Sequence, residues 1–150
     1  MAKQLHNLGY LRKNVEDALV THLQTEVEAT VRPAFTTDKV ENPCVVIHAK
    51  NTRERNETEY NLARYVDVEL RCITYAEKQT LLDAREAHYE LVASVYHAIA
   101  QADIVKTLNA LGHKGVAFWS LYAKTDEGTI AAESYVTIIQ VEVGATPQPY

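Results

Sequence analysis

The stretch YVDVELRCITYA, Tyr65 to Ala76, constrains the fold more than any other part of the chain. Val66, Val68, Leu70 and Cys72 alternate with Asp67, Glu69, Arg71 and Ile73, the two-residue period of a strand with one buried face and one wet face. Strands of a doubly wound parallel sheet are covered on both faces and read as continuous apolar runs, so this pattern points instead to an antiparallel sheet covered on one side. The other elements must supply this strand with neighbours and its apolar face with a lid.

Neighbouring strands are visible. Pro43 opens the apolar run Cys44-Val-Val-Ile47, and Val116 to Lys124 and Ser134 to Val143 form two more strands, the last with Tyr135, Thr137, Ile139, Val141 and Val143 on one face. The segment TDEGTIAAE between them is too long for a two-residue turn. Helices supply the lid. Asn14 is an N-cap type followed three positions later by Asp17, and Val15, Leu19, Leu23 and Val27 recur at i+4 until Arg32-Pro33. Thr80-Leu-Leu-Asp83 is a capping-box pattern for the longest helix, with Leu81, Ala84, His88, Leu91, Val95, Ala98 and Ile99 turned inward. A short helix follows, with Asp103 as cap, Ile104, Leu108 and Leu111 inward and Gly112 as the stop.

The order is α-β-β-α-α-β-β, an α+β fold. It predicts a four-stranded, mainly antiparallel sheet of two hairpins with helices packed on one face. The segment KNTRERNETEYNLARY carries seven charges and no Gly or Pro, and the region from Lys50 to Arg64 reads as a long hairpin loop. A length of 150 residues suits a single domain, with its core at about 14–143. Pro147 and Pro149 lack an amide donor, so residues 144–150 are expected to leave as an extended arm.

Composition narrows the function classes. The net charge is −5 with no basic stripe, which argues against binding a nucleic-acid backbone by counterion release. No secretory h-region and no apolar run near the ~20 residues of a membrane span are present, so no membrane partner and a chain soluble where it is made are expected. Cys44 and Cys72 lie in apolar strand patterns, as buried reduced thiols do. The six histidines show no HxxxH or HExxH spacing, and there is no GxSxG, P-loop or GxGxxG, so neither a metal, a cofactor nor a catalytic residue is assigned. Asp67 and Glu69 share a strand face and could serve a metal-dependent hydrolase; strand alternation alone also puts charges there. Trp119 is either a core or sheet-face residue or an interface anchor.

The capped helix at Asn14, the strand NPCVVIHAK, the charged loop, YVDVELRCITY, the helix LLDAREAHYELVASVYHAI, and the strands WSLYAK and SYVTIIQVEV together resemble the tail terminator (tail completion) proteins of tailed bacteriophages. The resemblance is one of order and pattern over residues 14 to 143, and other head–tail connector, neck or tail tube subunits share small α+β forms. It implies a non-enzymatic virion protein, assembled in the host cytoplasm, that forms a homo-oligomeric ring, usually a hexamer. Such a ring caps the tail tube protein and joins it to the head–tail connector protein, and DNA passes through its lumen without specific binding. It also implies a partner interface at the loop residues Arg53, Glu54, Arg55, Glu57 and Glu59, and at an arm comprising Pro147, Pro149 and Tyr150 that reaches a neighbour.

Overall fold

The structure, a computed structural model, describes residues 2–36, 41–54, 62–76, 81–131 and 133–148. The alternating segment forms β3 (Arg64–Tyr75) at the centre of a sheet. It pairs antiparallel with β2 (Cys44–Glu54) on one side and with β5 (Ser134–Pro147) on the other. Outside β5 lies β4 (Val116–Ala131), antiparallel to it, and outside β2 lies the short parallel strand β1 (Thr30–Pro33). The strand order is β1-β2-β3-β5-β4. In the described residues the helices are α1 (Ala2–Leu8), α2 (Leu11–Glu26), α3 (Leu81–Ile99) and α4 (Ile104–Ala110). None of them is long and apolar enough to cross a membrane.

Register follows from burial. Val66, Val68, Leu70 and Cys72 are opposite Val143, Val141, Ile139 and Thr137, and all are buried beneath α2, α3 and α4. Leu11, Val15, Ala18, Leu19 and Leu23 of α2 join Leu91, Val95, Ala98 and Ile99 of α3 over this layer. At about 25 cal/mol per Å² of apolar surface, removal of these side chains from water is the main force holding helices to sheet. Two histidines add directional ties. His22 Nε2 lies 2.8 Å from the Ala98 carbonyl, joining α2 to α3. His88 is buried between the hydroxyls of Thr74 (3.0 Å) and Thr137 (2.7 Å), and burial lowers its pKa below the ordinary 6.5. The inward His88 of the sequence reading is therefore a polar peg in an apolar face, with both ring nitrogens partnered.

The sheet departs from the expected four strands in three ways. First, β1 had no sequence signal of its own. Four residues are too few for alternation, and the helical pattern that was to run to Arg32-Pro33 stops at Glu26, with Val27 already extended. Pro33 fits because β1 is an edge strand. Second, β4 and β5 are longer than expected. Thr125 to Ala131, assigned to a connection, pair residue by residue with Gln140 to Ser134, and Glu133, just before β5, has φ 65. Cross-strand pairing overrides the poor strand propensity of Asp126, Glu127 and Gly128. Third, Gly144 to Pro147, expected to leave as an arm, stay in β5 opposite Ser120 to Val116, and Pro147 is buried. The Gln148 N–H donates to Gly115 O at 2.9 Å, and its carbonyl accepts from Asn7 of α1.

Helix starts also differ. α2 begins at Leu11, three residues before Asn14, and its N-cap position is Tyr10. Asp103 occupies the N-cap of α4 without a side-chain cap hydrogen bond, and Leu111, expected inward, is the C-cap and is exposed because the helix ends at Ala110; Gly112 stops the helix as expected, at φ 72. Helix α1 was not anticipated. The proposed cap residue Thr80 of α3 lies outside the described residues.

One glycine is required by close approach. A Cβ at Gly144 would lie 2.4 Å from Ser120 Oγ and 2.6 Å from the Trp119 ring, which packs over the glycine backbone and edge-on to Tyr65 at 5.1 Å. Trp119 is thus a sheet-face residue, seated on the side away from the helices. Gly144→Ala should displace that ring and lower stability by about 1–3 kcal/mol, as overpacking does. Urea denaturation followed by Trp119 fluorescence would measure it.

Candidate functional site

The sheet face turned away from the helices carries the polar half of the β3 pattern, and the loop residue Arg53 is part of it. β2 does not end near Ile47 but runs to Glu54, so Lys50 to Glu54, expected in a loop, are strand. A bulge between Ala49 and Asn51 adds one residue to β2. Helix α2 stabilises it: Glu16 accepts a hydrogen bond from the Ala49 N–H at 2.8 Å, and Arg12 donates to the Lys50 carbonyl at 3.0 Å. Beyond the bulge, Asn51 faces Asp67 and Arg53 faces Tyr65.

Arg53 therefore lies over its own sheet. Its guanidinium donates to both carboxylate oxygens of Asp67 at 2.8 and 3.0 Å and to Glu142 at 2.6 Å, and it sits 5.4 Å from the Tyr65 ring centre. Lys124, the residue at the second β4 bulge, closes the group by reaching Glu142 at 2.9 Å and Asp67 at 3.3 Å. One step along the strands, Glu69 is held by Lys50 at 3.1 Å and by Gln140 at 3.2 Å. The result is a lattice of alternating charge on β2, β3, β5 and β4.

The charges retune one another. The hydrogen bond from Arg53, with a further one from Lys124, holds Asp67 below its usual 3.8. Burial acts to raise Glu142 and Glu69, but the hydrogen bonds from Lys124 and Arg53 to the first, and from Lys50 and Gln140 to the second, outweigh it and leave both below 4.5. The pKa values of Arg53 and Lys124 move up, chiefly through hydrogen bonds to Asp67 and Glu142 respectively. All five groups are charged at neutral pH, and Lys50, facing Glu69, supplies the third cation opposite the three acids.

This arrangement bears on the hydrolase reading of Asp67 and Glu69. Their oxygens are turned to Arg53, Lys124, Lys50 and Gln140, not to a shared point where a cation could sit. Among the described residues no group of three or more His, Cys, Asp or Glu is placed to hold a metal ion. Cys44 and Cys72 are buried and free, with burial raising both pKa values, Cys72 to about 12, so neither is an activated thiol.

The remaining predicted interface residues are scattered. Glu54 is exposed at the end of β2, 4.0 Å from Arg64. Arg55, Glu57, Glu59, Pro149 and Tyr150 lie outside the described residues. Pro147 is buried in β5 rather than on an arm. Sequence reasoning missed Lys124 and Glu142, which come from β4 and β5 and meet Arg53 only through strand pairing; their sole signal was a charge in an otherwise apolar strand. It also missed a cavity of about 350 Å³ beside the lattice, lined by Arg32, Phe35, Val46, His48, Glu69 and Arg71.

No family model matches the chain, and no curated protein matches it. A solved structure does. A chain in the virion of a native gene transfer agent particle superposes with a TM-score of 0.62 at 13% sequence identity, over 87% of this chain and 93% of that one. At that identity the likeness is one of fold, and it spans nearly the whole of both chains.

The lattice makes a test of its own. Arg53→Ala strands two carboxylates with Lys124 alone and should cost about 1 kcal/mol, hydrogen bonds to charged groups being screened at a half-exposed side chain. Asp67→Asn in the Arg53→Ala background should cost less than it does alone, as a double-mutant cycle by urea denaturation would show. Because folding depresses the carboxylate pKa values, the stability they supply is present above their ordinary 3.8 and 4.5 and drains as pH falls through the lower folded values. Denaturation midpoints at pH 7 and pH 3 should therefore differ more in the wild type than in Asp67→Asn.

Proposed function

We propose that this chain is a structural subunit of a virion, of the tail terminator kind. It forms a closed ring, six-fold in the simplest case, which caps the tail tube and presents the surface that joins the head connector. DNA passes through the ring without sequence-specific contact, and the assembled position is the tail or neck of the particle. The observation that carries this reading is the shared fold with a chain of a gene transfer agent virion over 87% of this sequence.

The site geometry supports it from another side. The charged residues on the open sheet face are spent on one another, which leaves shape, sheet edges and apolar projections as the means of action. Mutually neutralised charge favours register and partner choice over chemistry. Arg53 contributes by tying Asp67 and Glu142 together on the sheet face, and Glu54, Arg55, Glu57 and Glu59 are the residues offered to the tube or connector.

Electron microscopy and sedimentation of the 150-residue chain, alone and with isolated tail tubes, would test this. The expected result is a six-fold ring, alone at high concentration or seated on one tube end. A chain that stays monomeric and ignores tube ends would overturn the reading. Open helical polymers in place of rings would favour the alternative of a tail tube subunit, since a heterologous contact either closes or propagates.

A further inference from the structure

We propose that Phe35 of one copy inserts into a groove between α3 and β4 of the next, and that this contact joins the two edges of the sheet around the ring. The inference rests on the ring reading above and supplies its interface.

Phe35 follows edge strand β1 and is 92% exposed, with the edge of its ring against His48 at 5.8 Å. It also has φ 61, a left-handed conformation that is uncommon for a bulky side chain. A large apolar ring held in strained backbone and left 92% exposed gains little within the monomer beyond its edge contact with His48, and such outliers cluster at functional sites. Burial in a second molecule would take that ring out of water.

The opposite edge offers a receptacle. The last turn of α3 and the middle of β4 enclose a cavity of about 390 Å³, lined by Tyr96, Ile99, Ala100, Leu121, Tyr122 and Ala123. Tyr122, which contributes to this lining, is 52% exposed. The β4 edge is protected on both sides of this groove. On one side Asn109 of α4 donates to the Phe118 carbonyl at 2.9 Å and accepts from the Phe118 N–H at 2.8 Å. On the other side Lys124, Asp126 and Glu127 place exposed charges on the strand. Between them Ser120 to Ala123 carries no charge, and an uncharged edge is one that pairs with something.

The partner indicated is a second copy of this chain. Knob and groove lie on the two outer strands of an order β1-β2-β3-β5-β4, about 19 Å apart at ~4.8 Å per strand, so no molecule can fill its own groove. They are nearly level along the strands. His48, beneath Phe35, is in register with Glu69, Gln140 and Thr125, and Thr125 is two residues from Ala123, about 7 Å at a strand's rise. Charge agrees: Arg12 and Lys13, with Glu16, line the cleft beside Phe35, while Asp126, which accepts the Tyr96 hydroxyl bond, stands at the groove. A contact between opposite edges is heterologous, the kind that generates a ring.

Phe35→Gly separates this role from a structural one. Glycine relieves the left-handed strain, so the monomer's thermal midpoint should stay level or rise, whereas the concentration needed for assembly should rise at least tenfold. Ala100→Arg, at an exposed position, should block the groove with the same loss of assembly and an intact fold. Mixing Phe35→Cys chains with Ala100→Cys chains under oxidation should give disulfide-linked heterodimers, because Cys44 and Cys72 are buried. Rings that form normally from Phe35→Gly, or that lack the cross-link, would overturn this inference and leave the ring reading standing. Cross-linking of Phe35→Cys to a tube protein instead would overturn it too, by naming a different occupant. Absence of both rings and cross-link at every concentration would overturn both.

Discussion

The two-residue period of β3 is the constraint on which the rest of the molecule depends. With one face of the strand under α2 and α3, a slip of one residue would bury Asp67 and Glu69 among leucines and expose Val66, Val68 and Leu70. The cost of burying unpaired carboxylates is so large that only one register survives. β2 and β5 inherit that register from β3, and through β5 it sets where β4 lies. The helices then pack on the face that alternation has made apolar.

The same register builds the charge lattice. Asp67 faces Glu142 across the β3–β5 pair, two acids placed opposite each other by strand geometry. Left alone they would repel. Arg53 and Lys124 resolve this, each at or beyond a bulge that turns a β2 or β4 side chain toward the acids. One of those bulges is stabilised from the far side of the sheet by Glu16 and Arg12 of α2. Helix packing and sheet-face electrostatics are therefore coupled through a single irregularity in β2.

The titratable groups gathered on the sheet face satisfy one another, the thiols are buried, and His88 is enclosed between two threonines. Among the apolar groups that the described surface leaves exposed are the Phe35 ring on one edge and a groove lined by Tyr96 and Leu121 on the other. The fold is shared with a virion chain at 13% identity, and cores that keep volume and pattern tolerate such wide change in sequence.

The α+β class, the central strand, the two hairpins, the inward faces of α2 and α3, Ile104 and Leu108 of α4, and the stop at Gly112 were all legible in the sequence, whereas Leu111 was misassigned to the inward face. Each is encoded by periodicity or capping within some twenty neighbouring residues. Of the described residues, Arg53, Glu54 and Pro147 were singled out as interface residues; Arg53 was placed in a loop when it is bound to its own sheet, and Pro147 on an arm when it is buried in β5. Asp67 and Glu69 were seen, but their partners were not, because Lys124 and Glu142 are far away in the chain. Strand β1, the full length of β4, the retention of Pro147 in β5 and the groove beneath Leu121 were decided by tertiary structure alone. They arise from pairing between distant segments, whose gain in hydrogen bonds and burial exceeds the weak local preferences of Asp126, Gly128 and Pro147, and no local pattern records that comparison.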